Sequence, residues 1–163
     1  MKSFLAKVEN LGRNLYLDVT RFGIPHSHIV VSHKHESRTQ EWWFAPCPDD
    51  EGYYYLQNLC SNTVVDCYGG GAAGSAVITF PLYHFENDTQ KWVIVEVSGE
   101  KGIVKLRNKA KKKYLGVENP AVSGAKLEDS SNLKSQQWKI HGFTKEVKLS
   151  DKKVAGSDII KKK

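Results

Sequence analysis

The chain has 163 residues, 40% of them hydrophobic and 26% charged, a balance that suits one soluble globular core and leaves no room for a second domain of ordinary size. No apolar run approaches a membrane span, and Met1-Lys2-Ser3-Phe4-Leu5-Ala6-Lys7 lacks the apolar stretch of a signal peptide. The expectation is therefore a cytoplasmic protein without membrane insertion, leaderless secretion being left open. The net charge of +6 invites an anionic partner, but most of the excess lies in residues 101–113 and 145–163, so nucleic acid is not the expected partner.

In chain order, apolar residues 4–8 and 15–19 flank the turn Asn10-Leu11-Gly12-Arg13-Asn14 and predict a hairpin; residues 29–31 and 41–44 supply a third and a fourth strand. After the turn Pro48-Asp49-Asp50-Glu51-Gly52 the pattern starts again, with strands at 53–56, 63–67, 76–80 and 91–95. A third pass gives 102–106, 113–117, 125–127 and 137–140. No segment has convincing helical periodicity. Residues 144–163 are rich in Lys, carry no periodic apolar pattern, and are expected to form a tail outside the folded unit.

Two markers repeat with this pattern. Thr39-Gln40-Glu41-Trp42, Thr89-Gln90-Lys91-Trp92 and Ser135-Gln136-Gln137-Trp138 close the three passes, and Asn10, Asn58 and Asn108 each stand eight residues before the end of a strand, at Asp18, Asp66 and Gly116. The chain thus reads as three copies of one unit of four strands, about 1–51, 52–99 and 100–143. A propeller needs about four blades to close, and an open solenoid needs caps that are absent here. Three such units close as an all-β barrel with pseudo-threefold symmetry, the β-trefoil.

Gln-x-Trp in each of three repeats, with an Asp after an aliphatic residue upstream in the first two, resembles the ricin B-type lectins over residues 4–143. The resemblance implies that the Trp packs in the core and the Gln bonds nearby backbone. It also implies a sugar site in which a carboxylate accepts hydrogen bonds from neighbouring hydroxyls of a galactose-type ring, an aromatic covers the C–H face, and an amide just before the Gln completes the contacts. In repeat two these roles fall to Asp66, the roomy Gly69-Gly70-Gly71 loop, Phe80 and Gln90; Thr89 stands where the family has Asn, with Asn87 or Asp88 as substitutes. In repeat one they fall to Asp18 and Gln40, with His33 or His35 in place of the aromatic and Thr39 in place of Asn. Repeat three has Gly116 in place of the carboxylate and Ser130 or Asp129 where the aromatic belongs, and is expected only to close the fold.

The resulting expectation is a non-enzymatic lectin for galactose or N-acetylgalactosamine-type glycans, carried by glycoproteins or glycolipids, with its best site in repeat two. Weak sites of this kind gain from multivalency, so a homodimer is a natural arrangement. A rival expectation is a trefoil that has lost sugar binding and works as a protein-binding module through its exposed loops. No cofactor is expected. The four histidines between His26 and His35 lack a partnering carboxylate or cysteine at metal-ligand spacing and read as strand and loop residues. Cys47, Cys60 and Cys67 fit no zinc spacing and read as reduced thiols, although Cys60 and Cys67 could face each other across a hairpin. The basic tip at residues 109–113 reads as a solvated turn.

Overall fold

The computed structural model describes residues 1–67, 72–117 and 124–143. Its twelve strands are β1 (Phe4–Asn10), β2 (Leu15–Val19), β3 (Ile29–Ser32), β4 (Trp42–Pro46), β5 (Tyr53–Asn58), β6 (Val64–Asp66), β7 (Ile78–Phe80), β8 (Trp92–Glu96), β9 (Ile103–Asn108), β10 (Tyr114–Gly116), β11 (Lys126–Glu128) and β12 (Trp138–Phe143). Each predicted strand is present, shifted by up to three residues at its ends. The helical content among the described residues is four one-turn 3-10 segments, and three of them, Arg38–Gln40, Asp88–Gln90 and Lys134–Gln136, carry the repeated glutamines.

Six strands close a barrel. β1 pairs with β4, β4 with β5, β5 with β8, β8 with β9, β9 with β12 and β12 with β1, all antiparallel. Closure leaves the barrel no free edge. The other six strands form three hairpins, β2–β3, β6–β7 and β10–β11, that cap one end. The caps meet in a ring of three backbone hydrogen bonds: Ile29 N–H to Val77 O at 3.1 Å, Val77 N–H to Ala125 O at 3.2 Å, and Ala125 N–H to Ile29 O at 2.8 Å. This is the all-β trefoil expected from three passes of one pattern.

The core follows the same symmetry. Leu17, Val65 and Leu115 are fully buried at one level, and Trp42, Trp92 and Trp138 are each 0% exposed. Burying an indole N–H without a partner is costly. Each is satisfied alike: Trp42 donates to Leu17 O at 3.0 Å, Trp92 to Val65 O at 3.0 Å and Trp138 to Leu115 O at 2.9 Å. The tryptophan of every repeat thereby fixes the strand end at which Asp18, Asp66 or Gly116 stands.

The repeated asparagines join one unit to the next. Asn58 Nδ2 donates to Thr39 O, Asn108 to Thr89 O and Asn10 to Ser135 O, each at 2.8–2.9 Å. The last of these closes the ring between the first repeat and the third. All three cysteines are free thiols; Cys60 is exposed, whereas Cys67 is buried and contacts Thr89 O. The basic tip is not simply solvated: Lys109 pairs with Asp50 and Asp88, which also hold the buried Lys91, and Lys113 pairs with Asp129. One cluster of four charges therefore ties the turn after repeat one to repeats two and three.

Candidate functional site

The repeated glutamines build the same clamp three times. Gln40 Nε2 donates to His33 O and its Oε1 accepts from His35 N–H; Gln90 does the same with Pro81 O and Tyr83 N–H, and Gln136 with Asp129 O and Ser131 N–H. The three sets of partners define equivalent positions, so His35, Tyr83 and Ser131 stand at one place in the three caps. The clamp also reaches the strand end. Gln40 Nε2 lies 3.2 Å from Asp18 Oδ2 and Gln90 Nε2 lies 3.0 Å from Asp66 Oδ2. Gln40 and Gln90, both expected among the sugar contacts, are 0% exposed, so their work is to aim the carboxylates.

In repeat one the carboxylate is held from several sides. Asp18 Oδ1 accepts Val19 N–H at 2.7 Å, and Oδ2 accepts from Ser32 Oγ, Gln40 and His35 Nε2, the last at 3.0 Å. Burial alone would push the Asp18 carboxyl up, but hydrogen bonds from Ser32, Val19, Thr39 and His35 outweigh it and hold the group below the usual carboxylate range. Ser37 N–H donates to His35 Nδ1 at 3.1 Å, so in the neutral ring the proton sits on Nε2 and points at Asp18. Of the two histidines expected here, His35 makes the contact with Asp18. His33 takes part through its backbone carbonyl.

An open cavity of about 420 Å³ lies over this carboxylate, lined by Asp18, Val19, Arg21, Phe22, His35, Ser37 and Thr39. Its aromatic is Phe22, 75% exposed, on the loop between β2 and β3. The position where repeat two carries Phe80 is here occupied by Ser32, since Tyr16 pairs with Ser32 as Val64 pairs with Phe80. The aromatic at this cavity is thus Phe22 on the β2–β3 loop and not a residue of the third strand; the signal available in the sequence was an aromatic-glycine pair four residues after Asp18. Arg21, Phe22 and Gly23 have φ of 51°, 57° and 79°, three successive residues in the left-handed region. Repeat two holds them there: Thr63 Oγ1 donates to Gly23 O at 2.6 Å, and a Cβ on Gly23 would lie 2.5 Å from Ser61 Oγ.

Repeat two places Asp66 and Phe80 on one face of the β6–β7 hairpin, because Asp66 pairs with Ile78 and Val64 with Phe80. Asp66 is 0% exposed, and Phe80 is half-buried between His26 and Tyr83, with ring centroids 4.7 Å and 5.2 Å away. Asn87, expected to substitute for the missing amide, is instead engaged with Tyr55 Oη and Tyr83 O and is buried. Thr89 contributes its carbonyl, which accepts from Cys67 N–H and Asn108 Nδ2. Burial pushes the neighbouring Cys67 thiol up to about 12, with the charge of Asp66 adding to the effect. Gly69 lies outside the described residues.

Repeat three differs from the expectation. The position equivalent to Phe80 is Glu128, which pairs with Tyr114, and not Asp129 or Ser130. Glu128 is 6% exposed, and its carboxyl fills the space beside Gly116: a Cβ there would lie 2.3 Å from Oε1 and 2.5 Å from Cδ. The carboxylate missing from one strand of the cap is thus supplied by the other. No group of three or more His, Cys, Asp or Glu poised to hold a metal ion occurs among the described residues.

A closed six-stranded barrel, three capping hairpins and carboxylates aimed by buried glutamines define a β-trefoil of the lectin type. The chain belongs to the ricin-type β-trefoil lectin domain-like family, whose model matches residues 4–80 and 88–153. No curated protein matches the sequence. Among solved structures, the designed threefold-symmetric protein ThreeFoil is similar with a TM-score of 0.76 at 23% identity, over 85% of this chain and 99% of ThreeFoil. The Rhizoctonia solani agglutinin gives 0.73 at 16% identity, covering 88% of this chain and 97% of the agglutinin. The Polyporus squamosus lectin, bound to a human-type influenza-binding epitope, gives 0.73 at 17%, but this chain spans only 49% of its length. These likenesses establish the fold, and the family membership supports carbohydrate binding in general.

Proposed function

We propose that the protein is a lectin for galactose or N-acetylgalactosamine-type glycans and that its principal site is the cavity of repeat one. The observation that carries this reading is the meeting of an aimed carboxylate, Asp18, with an exposed ring, Phe22, across one open cavity. Neighbouring sugar hydroxyls donate to Asp18, one of them taking over the place of the solvent-facing His35 contact. The Phe22 ring covers the apolar C–H face, and Thr39 with Ser37 lies within reach of the remaining hydroxyls. Asp66 and Phe80 of repeat two share a face and form a second, more enclosed candidate.

A shallow site of this kind binds near millimolar, about 4 kcal/mol. Titration calorimetry with lactose tests the reading directly. Asp18→Asn should abolish most of the heat, whereas Asp66→Asn should leave the larger part. No binding of lactose or of any neutral galactoside by the folded protein would overturn the proposal. The reverse ranking of the two variants would move the principal site to repeat two.

A further inference from the structure

The cavity of repeat one is bordered by a cation that the neutral-sugar reading does not use. Arg21 lines its opening, is exposed, and makes no side-chain hydrogen bond or ion pair among the described residues. Of the neighbouring basic groups, Lys7 Nζ donates to His35 O at 2.7 Å, and Lys34 sits 6.0 Å from the Tyr16 ring centroid. The lining holds one carboxylate, Asp18, which already accepts from Val19, Ser32, Gln40 and His35.

The backbone at Arg21 is also held in place. It opens the left-handed run that continues through Phe22 and Gly23, and left-handed backbone costs about 1 kcal/mol or more at each residue with a Cβ. The run persists because Gly23 is anchored to Thr20 O and Thr63 Oγ1. Two of the residues held in this conformation, Arg21 and Phe22, border the cavity. Size agrees: a cavity of about 150 Å³ encloses one six-membered ring, and this one, at about 420 Å³, has room for more than one.

We propose that this site selects acidic glycans: a galactose-type ring rests on Asp18 and Phe22, while a carboxylate or sulfate on the same or the adjoining sugar pairs with the Arg21 guanidinium. The inference rests on the lectin reading of the same cavity. A planar guanidinium matches the paired oxygens of either anion. Repulsion from Asp18 keeps the anion on the Arg21 side, away from the hydroxyls that Asp18 receives, so one arrangement is favoured over its reverse.

Calorimetry with lactose, sialylated lactose and sulfated lactose on the full chain tests this, using wild type, Arg21→Gln and Arg21→Gly. The glycine variant removes the charge while relieving the left-handed backbone, so it keeps the test open if Arg21→Gln is poorly folded. At low salt at least one acidic lactose should bind up to about fivefold tighter than lactose, the range of an exposed ion pair, and the advantage should shrink with added salt. Both variants should lose that advantage and keep their affinity for lactose. The acidic sugar that shows the gain identifies the anion. Equal affinity of wild type for all three sugars overturns the proposal and leaves the lectin reading standing. An equal loss for all three in both variants also overturns it, since Arg21 would then act only on the shape of the loop. Failure of every sugar to bind wild type removes the lectin reading itself.

Discussion

The exchange between Gly116 and Glu128 can be tested by moving the carboxylate from one strand of the third cap to the other. A side chain on Gly116 would start 2.3 Å from Glu128 Oε1 and 2.5 Å from its Cδ. Gly116→Asp therefore places a second carboxylate into occupied, buried space, and overpacking alone costs about 1–3 kcal/mol before like-charge repulsion is added. Taking about 2 kcal/mol as the outcome, a chain of 163 residues should lose roughly 4–8 °C in Tm. Glu128→Ser alone empties the space and should cost about 1–2 kcal/mol. Together they rebuild in repeat three the Asp18–Ser32 pair of repeat one, with Gln136 placed as Gln40 is, so the double variant should recover most of the loss. The coupling should be about 2 kcal/mol, within the range for residues in direct contact. Urea melts followed by tryptophan fluorescence provide the readout, since Trp42, Trp92 and Trp138 are all fully buried. A double variant as unstable as the sum of the two singles would refute the reasoning.

Other outcomes follow from the same geometry. Phe22→Gly should leave stability unchanged or raise it by up to about 1 kcal/mol, because glycine tolerates the φ of 57° found there, while lactose binding falls several-fold; a parallel loss of stability and binding would mean the ring is structural. Acid melts should distinguish Asp18→Asn from wild type. The native carboxyl lies below the ordinary 3.8, so its contribution is present above that value and is lost as the pH falls through 3.8 and then through the lower native value. The variant lacks this contribution at neutral pH and should show a flatter stability profile below about pH 4, as measured by urea midpoints across that window. Asp50→Ala removes the carboxylate shared by Lys91 and Lys109, of which Lys91 has a side chain only 7% exposed. It should cost about 1–2 kcal/mol, less in high salt, whereas Lys91→Met should be close to neutral; thermal melts at two salt concentrations would check both.

The fold was legible because its determinants are local and repeated. An indole that bonds the carbonyl before Asp18, Asp66 or Gly116, a glutamine that clamps the cap, and an asparagine that reaches the preceding repeat must recur wherever the unit recurs. Their spacings therefore betray three copies and the trefoil that follows. The candidate site was legible only in part. Asp18 and Asp66 stand at strand ends set by those markers, and Phe80 shares a face with Asp66. Phe22 and Arg21 were not found, because their placement depends on Ser61 and Thr63 gripping Gly23 from another repeat, and no periodicity within one repeat encodes that contact. Glu128 escaped for a different reason. The link after β10 shifts the third repeat out of step with the others, and only the pairing of Tyr114 with Glu128 shows which residue stands opposite.

Three caps on one framework show how such a fold can vary a site without disturbing its core. Tryptophan, asparagine and the clamp amide of glutamine act on backbone groups, so the barrel is indifferent to what projects from the cap above them. In repeat one that freedom leaves Ser32 beneath an open cavity and brings the aromatic in from the β2–β3 loop. In repeat two it fills the same position with Phe80, which packs on His26 from the neighbouring repeat and shares a face with the fully buried Asp66. In repeat three a buried glutamate lies over a glycine. The carboxylate persists in all three caps although it comes from a different strand in the third. A buried charge is costly unless its surroundings are built for it. Its presence in every cap, beside an oriented glutamine amide at Asp18 and Asp66, makes the carboxylate slot part of the framework, and leaves the aromatic and the loop around it to vary from repeat to repeat.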